Sequence, residues 1–295
     1  DTADRLESDL FREDEGSKPQ SGWRNTADGA PFGEKDLSLQ SDTAFSYGYS
    51  QLSGDEEQLY REILNSLISY QEETELSVKD PEMVERVFRY VMADHPEIFY
   101  ADGYEVTTYR LGTELRRITF TGTWTLESDE VLSRRAQLEA AAALWLEGLP
   151  DGTDDFEKAK YIYDALILRT EYEQGSADSQ TICSVLLNQR SVCQGYAKTF
   201  QYLCQLAGIP AMLVTGDVNG EGHAWNIVFL DGDWYYIDPT WGDASYQREE
   251  GEETPTLTET VNYDYFCVTT QEIERTHSMD DNQLLPVCSA VQDQY

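Results

Sequence analysis

Positive charge is scarce in this sequence. Its 295 residues hold 21 Lys and Arg against 56 Asp and Glu, a formal net charge of −35. A surface of that sign repels phosphate backbones and anionic headgroups, so neither nucleic acid nor an anionic membrane is expected as a partner. The imbalance steepens along the chain: from Tyr161 onward, five Lys or Arg face 21 Asp or Glu. Histidine is nearly missing too. The three present, at 95, 223 and 277, stand apart, and no CxxC or HxxxH pairing offers zinc its usual spacing. Asp217, Asn219, Glu221 and Gly222 open like a calcium loop. Its twelfth position, however, is Val228, where a bidentate glutamate is required, and a polar turn explains the residues better. No metal or cofactor is therefore expected. No apolar run approaches the roughly 20 residues that cross a bilayer. Cysteines number five, an odd count consistent with one thiol left free for chemistry.

What is present concentrates between Gln189 and Asp243, QRSVCQGYAKTFQYLCQLAGIPAMLVTGDVNGEGHAWNIVFLDGDWYYIDPTWGD. After Cys193, apolar or small residues recur at Tyr196, Ala197, Phe200, Leu203, Cys204 and Ala207, a stripe near period 3.6. Gly208 and Pro210 supply the stop. Cys193 thus sits at a helix start, beside unpaired backbone N–H groups and the positive end of the helix dipole. That setting favours a thiolate and offers donors to a developing oxyanion. Cys183 and Cys204 lie within helical patterns and read as core thiols.

Three segments rich in β-formers follow: 211–216, 223–230 and 234–238. Asp231-Gly232 is a hairpin signal whose register pairs Phe229 with Trp234 and Trp225 with Asp238. His223 and Asp238 then become diagonal neighbours on one sheet face, while Asn226 points to the other. A strand histidine alone is more often structural. A cysteine at a helix start, a histidine and a carboxylate on a shared face together point to nucleophile, base and orienter.

The segments SVCQGYAKTFQYLCQLAGIPAMLVTG, GHAWNIV and WYYIDPTWGD resemble the transglutaminase-like superfamily, a branch of the papain-like thiol enzymes. The resemblance covers roughly residues 154–243. It implies an α+β core in which a helix bearing the cysteine packs on an antiparallel sheet, with Cys193, His223 and Asp238 on the catalytic positions. It implies an enzyme acting on protein or peptide amide bonds through a thioester, and a core shorter than that of the large crosslinking enzymes, with an extracellular-type composition, favours hydrolysis. A crosslinking transglutaminase, or a surface binding module that kept the fold without the reaction, are the alternatives. The papain-type oxyanion glutamine would fall on Leu187, which leaves the second oxyanion donor unassigned.

In chain order, residues 1–50 hold 11 acids and 5 bases without a sustained period and read as a disordered or loosely packed tether. Residues 51–126 read as a small α+β domain. Ser53 and Glu56 form a capping box before one amphipathic helix, Asp80-Pro81 opens a second, and two strands flank Gly112. His95, beside a proline, reads as a cap or surface residue. Residues 127–295 read as the thiol-enzyme domain, with helices from Ser128 and Asp154, an acidic surface loop at 248–260 and a further strand, NYDYFCVTT. Trp241 is a candidate for lining the cleft or the core. Cys267 and Cys288 either pair in an oxidising compartment or stay two independent thiols, and Leu284, Leu285, Pro286 and Val287 are expected to pack the tail back. The start at Asp1 rather than Met suits a removed leader, and the acidic, tyrosine-rich composition suits an extracellular or surface-anchored protein.

Overall fold

The computed structural model describes residues 2–8, 46–149, 152–243 and 261–291. The chain divides into one unit from Asp1 to Arg135 and a second from Ala136 to Tyr295. The acidic stretch 248–260, expected as a surface loop, lies outside the described residues.

The first unit contains β1 (Thr2–Ser8), α1 (Tyr47–Ser50), α2 (Asp55–Ile68), β2 (Thr74–Glu75), α3 (Pro81–Asp94), β3 (Ala101–Leu111) and β4 (Glu114–Trp124). Its sheet runs β1-β3-β4-β2, antiparallel throughout. Two parts of the expected tether are ordered. Thr2–Ser8 pair with the edge of β3, from Thr2 opposite Arg110 to Ser8 opposite Tyr104. The α1 turn is tied down because the Gly48 and Tyr49 N–H groups and the Tyr60 hydroxyl all donate to Asp94, each at 2.9 Å. Burial pushes that carboxyl up to about 6. Residues 9–45 of the expected tether fall outside the described residues.

The caps follow the sequence closely. Asp80 accepts from the Glu82 and Met83 N–H groups with Pro81 at the first helical position. Only half of the Ser53/Glu56 box forms, Ser53 N donating to Glu56 Oε2, since Gly54 takes the cap position of α2. His95 occupies the C-cap of α3 and is buried rather than on the surface, 2.8 Å from Glu97. Leu59, Ile63, Val84, Val87 and Phe88 supply the apolar faces that close over Tyr104 and Phe120.

In the second unit come α4 (Ser128–Leu146, entered before the division), α5 (Asp155–Arg169), β5 (Glu171–Tyr172), α6 (Ile182–Leu186), β6 (Arg190–Ser191) and α7 (Cys193–Leu206). They are followed by β7 (Ala211–Val218), β8 (Glu221–Leu230), β9 (Asp233–Ile237), α8 (Thr270–Ile273) and β10 (Ser278–Met279). The sheet order is β10-β7-β8-β9, every pair antiparallel, and α7 packs on β7 and β8 with α5 and α6 against it. This is the expected α+β core.

Both hairpins turn on residues built for positive φ. Asp231 (φ 48°) and Gly232 (φ 106°) form a two-residue loop between Leu230 and Asp233, and Phe229 faces Trp234 as the sequence register requires. Asn219 (φ 57°) and Gly220 (φ 86°) do the same between Val218 and Glu221. Asp217 is part of that turn, accepting from Gly220 N at 2.7 Å.

Downstream the structure departs from the expected strand and decides two further points. NYDYFCVTT is not a strand: it bends through Tyr263–Phe266, and Cys267 adopts φ 57°, which no strand tolerates, leaving only a bridge between Val268 and Tyr236. Cys267 and Cys288 are both buried free thiols, and Cys288 is instead fixed by backbone bonds to Thr270. The tail does return, with Leu285 and Pro286 of its apolar run half-buried. Leu284 and Val287 are 58% and 82% exposed, and β10, Gln283 and Cys288 make the attachment.

Candidate active site

Cys193 is the first residue of α7, and the chain enters it from β6, held parallel to β5. Val192 occupies the cap position with no side-chain hydrogen bond, so no side chain competes for the first-turn N–H groups. A cluster of hydroxyls sets the approach: Ser191 Oγ lies 2.7 Å from Ser184 Oγ and donates to Ser179 O at 2.8 Å. Gly195 permits it, because a Cβ there would run into Ser191 Oγ, Ser179 O and Ser184 Oγ. The sulfur is half-buried, within reach of a substrate, whereas Cys183 and Cys204 are buried.

His223 lies on β8 opposite Gly216 of β7, with Asp238 one residue beyond the end of β9. His223 Nε2 sits 2.7 Å from Asp238 Oδ2, and Cys193 is close enough to the same imidazole to favour its charged form. A carboxylate oxygen only accepts, so Nε2 carries the proton and Nδ1 is left for the thiol. Of the three residues singled out from the sequence, His223 and Asp238 are hydrogen-bonded to each other, and Cys193 bears on the same imidazole. Asn226 is on the opposite face, its Nδ2 donating to Ala197 O of α7 at 2.9 Å and Met212 O at 3.3 Å. It clamps the cysteine helix to the sheet and makes no contact that orients His223.

Asp238 is fully buried and accepts four hydrogen bonds. Oδ1 takes the Thr240 and Trp241 N–H groups at 2.9 and 3.1 Å, and Oδ2 takes His223 and, at 3.0 Å, His277 Nε2. Burial alone would raise this carboxyl, but the His223 charge and the hydrogen bonds from both imidazoles hold it down at about 2. Burial likewise opposes a charged His223. Asp238, and then Cys193, outweigh it and lift the imidazole to about 10. The pair is thus held as carboxylate and imidazolium.

His277 escaped the sequence reading. It precedes β10, two residues long and too short to show alternation, in a stretch without periodicity. One signal existed: Gly216, a glycine inside a strand, often marks a close backbone approach. A Cβ there would strike Ser278 O and the Trp225 ring, so Gly216 is what admits β10 and the histidine before it. The ring is enclosed by Trp225, Trp241 and Tyr265, centroids 4.9, 5.1 and 5.7 Å away. Trp241 therefore stands tilted beside both imidazoles, half-buried. The ligand-type atoms of His223, Asp238 and His277 lie within 4.8 Å of one another. Both nitrogens already donate to one oxygen, so protons hold the bridging positions and the set is a hydrogen-bonded chain.

Residues 146–239 match the family model described as Transglutaminase-like superfamily, a span that contains Cys193, His223 and Asp238 but not His277. Kyphoscoliosis peptidase of Homo sapiens is 33% identical over 113 residues, covering 32% of this chain and 17% of the relative. The Mus musculus protein of that name is 32% identical over the same shares. The chain thus spans under a fifth of the length of these curated relatives. Among solved structures, one described as a TGase aligns at TM-score 0.34 and 13% identity, over 54% of this chain and 48% of its own. A putative cysteine protease from Cytophaga hutchinsonii aligns at 0.31 and 18%, over 46% and 61%. Among the described residues no helix is long and apolar enough to cross a membrane. The α+β core beginning in the middle of this chain is, at the superfamily level, a match to the transglutaminase-like, papain-like fold.

Proposed function

We propose that the second unit is a cysteine-dependent enzyme acting on amide bonds of proteins or peptides, with Cys193 as nucleophile, His223 as acid and base, and Asp238 as the group that orients His223. The supporting observation is a buried carboxylate bonded to His223, with a half-buried helix-start cysteine near enough to act on that imidazole. In this reading the proton of the Cys193 thiol already rests on His223 as the imidazolium, and Cys193 Sγ attacks the carbonyl carbon as the thiolate, forming a C–S bond. The oxyanion develops toward the uncapped N–H groups at the start of α7. As the C–N bond breaks, His223 returns the proton to the leaving amine. Water then loses a proton to His223 and attacks the thioester, releasing the acid and restoring the thiol.

Hydrolysis is the favoured outcome because the core is short, and the name peptidase borne by the human and mouse relatives supports the same direction. The acidic, lysine-poor composition supports an extracellular or surface setting. The test is a panel of peptide and glutamine substrates assayed with and without an added primary amine, on the wild type and Cys193→Ala. Amine-independent release of acid by the wild type alone is expected. Amine incorporation in its place would make the protein a transglutaminase, and normal turnover by Cys193→Ala would remove the thiol mechanism altogether.

A further inference from the structure

We propose that His277 is a positioning residue for His223, acting through the one carboxylate oxygen that both imidazoles share. The inference rests on the role given above to His223 but concerns a residue outside the span matched to the superfamily.

The geometry carries it. His277 Nε2 is 3.0 Å from Asp238 Oδ2, the oxygen His223 Nε2 reaches at 2.7 Å, and neither the His277 side chain nor the Asp238 side chain has any exposed surface. Since that oxygen can only accept, both imidazoles present N–H on Nε2. In the neutral ring Nδ1 is then an acceptor, and the Thr276 hydroxyl stands 2.7 Å from it. That hydroxyl also lies 3.4 Å from Ile273 O, so the proton on Nε2 is fixed by the Asp238 end. Packing alone does not account for a histidine here. Trp225, Trp241 and Tyr265 surround the ring, and a phenyl group would fill such a wall of aromatics as well while leaving Oδ2 short of a donor.

Two effects on His223 follow. With two N–H groups on Oδ1 and two on Oδ2, the carboxylate has no rotational freedom, so the plane in which it receives His223 is set. The second donor also draws charge from Oδ2, so Asp238 holds the His223 imidazolium less tightly than it would alone, and the imidazole gives up its proton more readily. The titratable groups facing the two rings are Cys193, Asp238 and the Tyr265 phenol. Of these, Asp238 is hydrogen-bonded to both rings, and it is the route by which one ring acts on the other.

The test uses the full chain labelled with 15N-histidine, which gives only three imidazoles to assign. In the wild type, His277 must show a protonated Nε2. His277→Phe keeps the ring volume without the donor, and His277→Gln places an amide N–H near the position of Nε2. The His223 titration should move upward by about one pH unit in His277→Phe, the worth of one charge-assisted hydrogen bond, and return to within a few tenths in His277→Gln. Turnover should fall about tenfold in the Phe variant at unchanged KM and recover in the Gln variant. The proposal is overturned by a wild-type His277 without a proton on Nε2, by a His223 titration unmoved in His277→Phe, or by one displaced equally in both variants. The wild-type spectrum decides even if the variants fail to fold. The imidazole titrations are also read without turnover, so a failure of the thiol mechanism, seen as activity in Cys193→Ala, stays separate from a failure of this one.

Discussion

Replacing Asp238 by asparagine removes one charge and should do far more than that. Every approach to the carboxylate is made by a donor: two backbone N–H groups on Oδ1 and two imidazole N–H groups on Oδ2. An asparagine has one acceptor oxygen and one NH2, so either orientation points its amide hydrogens at two N–H groups. If the oxygen keeps Thr240 and Trp241, the NH2 faces His223 and His277, and both rings must move their protons to Nδ1. For His223 that is the nitrogen left for the thiol, so the base would meet Cys193 with a proton already on it. The expected loss in the acylation step is about 10²–10⁴-fold, as for other triads whose carboxylate is neutralised. If the NH2 faces the backbone instead, two buried N–H groups lose their acceptor at about 1–3 kcal/mol each, a total of roughly 2–6 kcal/mol. Set against a typical total of about 5–15 kcal/mol, that shows as a clearly lowered Tm. Single-turnover acylation on the folded fraction, with a thermal melt beside it, measures both. Wild-type acylation together with an unchanged Tm would mean that Asp238 neither orients His223 nor bears the four bonds described.

Asn226→Ala should act through structure: losing the bond from Asn226 to Ala197 O in a fully buried position should cost about 2–3 kcal/mol by chemical denaturation. Acylation in the folded fraction should fall tenfold or less, and a deeper loss would give Asn226 a part in orienting the base. Stability should also follow the ion pair. Asp238, lowered from 3.8 to about 2, contributes stability fully present above about pH 4 and lost as pH falls through 2. His223, raised from 6.5 to about 10, contributes stability fully present below 6.5 and lost as pH rises toward 10. Denaturation midpoints across pH should therefore plateau between about 4 and 6.5, and Asp238→Asn should flatten both shoulders.

Much of this site was legible because its signals are local. Asp231-Gly232 dictated a two-residue loop, the loop dictated the register, and the register put His223 and Asp238 on one face with Asn226 behind. The stripe after Cys193 and the Gly208 stop framed α7 in the same way. What could not be read depends on contacts far apart in sequence. His277 reaches Asp238 across 39 residues. The α1 turn exists because Asp94, 46 residues on, offers a buried carboxylate to Gly48. The misread strand at 262–270 shows the converse: its composition favours β structure, yet a left-handed Cys267 and the anchoring of Thr270 to Cys288 decide its path.

The distance between Asp238 and His277 also has a meaning in time. A growing chain delivers the cysteine helix and both hairpins first, and His277 follows 39 residues later. At about 5–20 residues per second, the ribosome leaves an interval of roughly 2–8 s in which the carboxylate lacks its fourth donor and the outer edge of β7 is bare. An exposed edge of that kind invites pairing with whatever strand is near. Gly216, by keeping the edge narrow enough for only a close-fitting backbone, reserves it for Ser278 and Met279. Maturation of the site is thus tied to the arrival of the C-terminal segment, and a stalled or trimmed chain would present a folded core with an unfinished centre.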